Sequence, residues 1–374
     1  MNALLAEWRK IGRELGPALP GLALVAAVAI ASRLLYGLIP WDVVKKAVSE
    51  VLIAVLLGLI IRTYVGFGKS LEPGIRFALQ RVLRLGIILL GLRLSLQAVV
   101  KTGLSALLLV LVCMSVALTL AYLAGRIFRI PPRLAVLIGV GTAICGNSAI
   151  IAIAPVIEAK DEDVSFAVAT ITLFGTLAII VYPLVGHALA LSNGAFGMWA
   201  GSAVNDTSQV VATGAAFSEA ARDVATVVKL TRNTLMAPLI VLIGLLYASA
   251  SAHQLTGKAA DATRLTLGKL APWFVLGFLL MTLVRTLGVA LNVLPQSTSN
   301  APANLKTAAG ALVFLDEAAK FAILMALSGI GLGTKIEEMH KTGLRPFVVG
   351  LCVAALLAVF SLSLIVFFGW GGTA

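Results

Sequence analysis

Two polar words interrupt a chain that is otherwise apolar enough to lie in lipid. The first is Gly141-Thr142-Ala143-Ile144-Cys145-Gly146-Asn147-Ser148-Ala149-Ile150-Ile151-Ala152, and the second is Gly201-Ser202-Ala203-Val204-Asn205-Asp206-Thr207-Ser208-Gln209-Val210-Val211-Ala212. Gly, Ala, Ser and Ala keep register between them, Thr answers Ser and Ile answers Val, and Asp163-Val164 is matched by Asp223-Val224. Such a pair reads as two copies of one element. Apolar segments broken at corresponding places of two repeats mark the discontinuous helices with which secondary transporters hold substrate near the bilayer midplane.

The rest of the chain is read as spans around these words. Of its 374 residues 60% are hydrophobic and 12% charged, against about 25% charged in soluble domains, so an all-α polytopic membrane protein is expected. Nine runs reach the roughly 17 to 25 residues that cross a bilayer: 18–38, 47–66, 75–95, 103–125, 162–190, 222–250, 272–292, 305–330 and 344–369. Segments 134–157 and 196–217 carry the motifs and are too polar at their centres for plain spans. The expected total is about 9 to 11 transmembrane segments on this length criterion.

A net charge of +12 does not indicate nucleic acid, because the basic residues are scattered through loops and form no stripe with aromatics. They follow the positive-inside rule instead. With the motif segments re-entrant, fifteen Lys and Arg, from Arg9, Lys10 and Arg13 to Lys335, Lys341 and Arg345, collect on one side, against Lys45, Lys46, Arg93, Lys101, Arg222 and Lys306 on the other. That places the N-terminus in the cytoplasm and the C-terminus outside. The apolar run after Arg13 is longer than a signal-peptide core and is read as a retained helix. Trp41, Tyr64 and Phe67 fall at span ends, where aromatic rings favour the interface. Cys113, Cys145 and Cys352 lack metal-ligand spacing, and His187, His253 and His340 are widely separated. With no nucleotide-binding or nucleophile motif in view, neither a cofactor, a metal nor enzymatic activity is expected.

A second internal match bears on topology. Gly91-Leu92 followed by Lys101-Thr102-Gly103-Leu104 recurs as Gly331-Leu332 followed by Lys341-Thr342-Gly343-Leu344. The first copy thus runs three spans, motif segment, long span, and the second runs motif segment, long span, three spans. Every unit inverts between the copies only if both motif segments are hairpins that enter and leave on one side, 134–157 from the cytoplasm and 196–217 from outside. Half-helices of about 15 Å at 1.5 Å per residue reach the midplane of a core about 30 Å thick. Broken helices that cross fully are the alternative. The expected division is 1–40 as an extra helix, 41–130 as a first scaffold half, 131–192 and 193–252 as hairpin-plus-helix units of a transport core, and 253–374 as a second scaffold half.

The binding chemistry is expected at the two tips. Gly146 supplies a turn and Asn147-Ser148 begin a half-helix whose free N–H groups suit an anion, with Cys145 beside them. Asn205, Asp206, Thr207 and Ser208 are favoured N-cap residues at the matching place, and Thr142, Ser202 and Gln209 add hydrogen-bonding capacity. Small residues here also fit simple close packing of helices. Asp206 is the only acid at either tip, a candidate for a coupling ion or for capping alone. Lys229, Arg232 and Asn233 share one helix face and suit an oxyanion, Arg through its planar fork, although Lys229 also suits snorkelling to the interface. Asp316 and Glu317, with Lys320, lie within an apolar span, either as a neutralising i, i+4 pair or as a proton relay.

At Thr-Ala-Ile-Cys-Gly-Asn-Ser-Ala-Ile, at Phe-Gly-Met-Trp-Ala-Gly-Ser-Ala-Val-Asn-Asp-Thr-Ser-Gln-Val and at Lys-Leu-Thr-Arg-Asn, the chain resembles the sulfate exporter family of bacterial inner-membrane proteins over nearly its whole length. The resemblance implies an inner-membrane location and a small oxyanion or organosulfonate as substrate. The two-hairpin layout is also similar, in architecture alone, to that of the 2-hydroxycarboxylate carriers, and by that analogy a homodimer is expected. The sequence reading is a secondary active carrier of a small anion, driven by a proton or sodium gradient. An uptake carrier for carboxylates or sulfonated amino acids, and an anion channel, stay open beside it.

Overall fold

In the computed structural model the described residues are 2–39, 49–250, 273–295, 307–334 and 344–372. Trp41, His253, His340 and the repeat of Lys101-Thr102-Gly103 at 341–343 lie outside them, as do several lysines of the orientation count. Among the described residues every regular element is helical. Among the described residues five helical stretches are long and apolar enough to cross a membrane: Glu14–Leu38, Leu96–Ile127, Glu162–Ala188, Glu219–Gly244 and Arg345–Phe368. The chain separates into two compact units, residues 1–99 with 274–335 and residues 100–273 with 336–374.

In the first unit, α1 (Asn2–Leu38), α2 (Glu50–Ile60), α3 (Glu72–Phe77), α4 (Leu83–Leu90) and α13 (Trp273–Ala290) accompany α14 (Ala308–Gly333). Close approach of α14 to α2 depends on small residues, since a methyl group at Gly58 would stand 2.7 Å from the Ser328 carbonyl. The charges of α14 are mutually satisfied. Lys320 lies 3.1 Å from Asp316 and 3.0 Å from Glu317, and Arg93 and Arg33 approach those acids at 3.6 and 3.2 Å. The i, i+4 pair expected of Asp316 and Lys320 is therefore present.

The second unit contains both motif segments. Helices α6 (Pro132–Ala143) and α7 (Asn147–Ile153) form one hairpin, and α9 (Asn193–Ala203) and α10 (Thr207–Phe217) form the other. Each returns to its starting end. At the base of the first, Arg133 reaches Glu158 at 3.8 Å; at the base of the second, Ser218 Oγ donates to Asn193 Oδ1 at 2.7 Å. Helices of 11 residues extend about 16 Å at 1.5 Å per residue, roughly half of a bilayer core.

Helix α8 (Asp161–Ala188) sets the hairpins against each other. Its N-terminus follows the base of the first hairpin, its middle meets both tips at Thr172, and its last turns meet the base of the second, where His187 stacks on Phe217 at 4.4 Å. The two hairpins thus open at opposite ends of α8. Helix α11 (Glu219–Thr234) runs back along the second hairpin, and a methyl group at Gly197 or Gly201 would stand 2.6 Å from Val224 or Val228. Trp199 stacks on Tyr182 at 4.2 Å and donates to the Ala358 carbonyl at 2.9 Å, which fixes the hairpin to α15 (Leu344–Phe368). α5 (Leu96–Ile127) contributes Ala117 and Ala121 to the same core.

The long span expected at 222–250 is present as Glu219–Gly244, with a local irregularity at Leu235. α11 ends at Thr234 and α12 (Met236–Ala250) follows Leu235. Pro238 has no N–H to give the Thr234 carbonyl, so the helical ladder fails there.

Gly175 decides how closely the second hairpin can approach α8, because a side chain there would overlap the Gln209 carboxamide. Gly175→Ala is expected to lower stability by about 1 to 3 kcal/mol through overpacking, read as a reduced melting temperature of detergent-purified protein. Gly16→Ala, with open space around position 16, serves as the unperturbed control.

Candidate functional site

The tips of both hairpins converge on α8 because its polar side chains line up one helical turn apart. Thr172 Oγ1 accepts from Asn147 Nδ2 at 3.3 Å, and the Thr172 carbonyl accepts from Gln209 Nε2 at 2.9 Å. Gln209 Nε2 also lies 3.4 Å from Thr176 Oγ1. A methyl group at Gly146 would stand 3.3 Å from the Asp206 carboxylate, so the two polar words of the sequence face each other directly. Gly146 turns the first tip at φ +68, a conformation natural only to glycine. The second tip needs none: Asp206 is extended and caps α10 through a capping box with Gln209. Its Oδ1 accepts from Ser208 N at 2.9 Å and Ser208 Oγ at 2.7 Å.

Each break exposes the carbonyl end of a half-helix, with unpaired acceptors and the negative end of the helix dipole. α11 answers both. Lys229 Nζ donates to the carbonyls of Ile144 at 2.7 Å, Val204 at 3.2 Å and Asn205. Arg232 donates from Nε to Ala143 at 2.7 Å, from Nη1 to Ser202 at 2.7 Å and Val204 at 3.2 Å, and from Nη2 to Thr142. Both side chains are buried, at 0% and 1% exposure. The guanidinium fork expected to face an oxyanion is turned onto backbone carbonyls, and so is the ammonium. Neither forms an ion pair with a described residue.

The remaining expected residues differ in what they touch. Ser202 Oγ bonds back to the Met198 carbonyl at 2.7 Å and to Ser361 Oγ at 2.6 Å, and Cys145 Sγ lies 3.3 Å from Met236 Sδ, so both are engaged in packing. Asn233 Nδ2 donates to Thr207 Oγ1 at 3.2 Å. Ser148 is exposed, and Asn147, Asp206, Thr207 and Ser208 are partly so, giving the junction an open polar rim. Behind the rim, Thr142 Oγ1 and the Oδ1 atoms of Asn147, Asn205 and Asn233 are buried without a hydrogen-bond partner. Buried polar groups are otherwise almost always paired, so these four oxygens are the unmet hydrogen-bonding capacity of the junction. Asp316 and Glu317 belong to the first unit and are paired there. Thr172 and Thr176, which orient both tips, were not among the expected residues; their signal was two hydroxyls at i, i+4 spacing in an apolar helix.

Residues 20–350 match the family described as conserved hypothetical protein 698. A UPF0324 membrane protein of Clostridium tetani is 32% identical over 349 residues, covering 91% of this chain and 94% of that relative. UPF0324 membrane proteins of Bacillus cereus (31% over 350 residues, 94% and 95% covered) and Oceanobacillus iheyensis (32% over 351 residues, 94% and 96% covered) are similar to the same extent.

Two sets of variants separate capping from charge. Asp206→Ala is expected to cost about 1 kcal/mol of stability and Asp206→Asn close to nothing, because Asn caps as well as Asp; thermal melts of the pair measure it. Arg232→Ala strands carbonyls in an apolar junction at about 1 to 3 kcal/mol for each buried unpaired group. It is expected to melt far below wild type, with Arg232→Lys between them.

Proposed function

The chain belongs to the UPF0324 family of membrane proteins, and on that premise we propose that it is a secondary carrier of a small anion, a sulfate-like oxyanion or an organosulfonate, bound where the hairpin tips meet. The observation that carries this reading is the charge and polarity of the junction. Lys229 and Arg232 set two buried cations against the single carboxylate of Asp206, and the amides of Asn147, Asn205 and Asn233, whose oxygens have no partner, lie around them. A net positive field in a low-dielectric pocket favours an anion.

In this reading Lys229 and Arg232 act through their field, and the contacts come from neutral groups. The amides of Asn147 and Asn233 rest on threonine hydroxyls, which both donate and accept. Each amide therefore rotates by half a turn without losing that bond and presents its NH2 group to an anion. Ser148 adds a hydroxyl donor at the rim, and the first N–H groups of the half-helices favour negative charge. Two hairpins opening at opposite ends suit alternating access around one central site. A proton or sodium gradient would drive the cycle, in an inner membrane and as a homodimer.

The test is counterflow in proteoliposomes, preceded by a thermal-shift screen against sulfate, sulfite, thiosulfate, taurine, sulfoacetate and di- and tricarboxylates. An oxyanion or sulfonate is expected to raise the melting temperature and to show saturable trans-stimulation. Asn147→Ala is expected to weaken that shift at least tenfold in apparent affinity while the unliganded melting temperature changes little. Conductance without trans-stimulation would identify a channel, and a shift with carboxylates alone would reassign the substrate.

A further inference from the structure

We propose that the Lys229 ammonium is a tethered substitute for a coupling cation, so that the carbonyls of the two helix breaks form a cation site already filled by the chain itself. In carriers built from discontinuous helices, unwound carbonyls and the C-terminal ends of half-helices are the ligands of a coupling sodium ion. Here the equivalent oxygens are the carbonyls of Thr142, Ala143, Ile144, Ser202, Val204 and Asn205, and each accepts from Lys229 or Arg232. Lys229 Nζ collects three of them, from both hairpins at once.

The chemistry of the two cations differs in a way that points to Lys229. A guanidinium is a flat fork that matches paired acceptors, whereas an ammonium is a compact point charge that takes carbonyl oxygens from several directions, as a small metal ion does. A buried cation needs compensation, and Lys229 finds it in carbonyl dipoles rather than in a carboxylate. Every hydrogen bond that it makes goes to a peptide oxygen of a break. A free ion at this place would compete with a charge that cannot diffuse away.

The inference narrows the coupling ion of the carrier proposed above and rests on that reading for its meaning in transport. Its test reads stability against cations, so failure of anion binding leaves it intact. Purified wild-type protein, Lys229→Ala and Lys229→Met are melted in chloride salts of sodium, potassium, n-propylammonium and choline at equal ionic strength. Propylammonium is the fragment that Lys229→Ala removes. Wild type is expected to melt at the same temperature in sodium as in choline. Lys229→Ala is expected to melt lower in choline and to regain stability in propylammonium or sodium. Lys229→Met, whose side chain still occupies much of the space, is expected to melt lower without rescue. A sodium-selective rise in wild type overturns the proposal, because the junction then holds a free cation as well. Lys229→Ala melting like wild type in choline, or failing to respond to any cation, overturns it too. Should neither variant fold, the wild-type comparison of sodium with choline decides alone.

Discussion

A helix that stops inside an apolar core leaves carbonyls with no water to turn to, and this protein stops two helices at one place. Unpaired backbone at such depth is tolerated only where protein or a polar cavity receives it. Lys229 and Arg232 supply that reception for both breaks together. The cations need the carbonyls as much as the carbonyls need them, since either set alone would be a costly burial. The meeting of the two tips and the position of α11 together satisfy this reciprocal requirement.

The same economy of small residues surrounds it. Gly175 lets the second hairpin reach α8, Gly197 and Gly201 let α11 lie close beside it, and Gly146 turns the first tip beneath Asp206. With those approaches made, the hydroxyls and amides of the tips have few places to go. Thr172 engages Asn147 from one hairpin and Gln209 from the other, so one residue of α8 registers both tips. What remains unpaired is a short list of amide and hydroxyl oxygens beside two cations and one acid. This is a polar junction built inside a helical core.

Much of this was legible in the chain. The paired words at Gly141 and Gly201 pointed to two hairpins, and their ends are joined at Arg133 to Glu158 and at Asn193 to Ser218 as returning segments must be. Of the two readings of Asp206, cap or coupling-ion ligand, the cap is present, and of those for Asp316 with Lys320 the i, i+4 pair is present. The irregularity at Leu235 was also within reach, because Pro238 stood in plain view inside that span.

Sequence by itself determined the membrane class, the helical composition and the whereabouts of the polar interruptions, because hydropathy and the loss of helical periodicity are local properties. Only the tertiary structure decided where the donors of Lys229 and Arg232 point. Their spacing on one helix face is equally compatible with facing a substrate or a carbonyl, and the choice depends on which acceptors the two hairpins bring within about 3 Å. The role of Thr172 is of the same kind: a hydroxyl in an apolar helix has no partner in its own neighbourhood, and its meaning comes from elements 25 and 37 positions away along the chain.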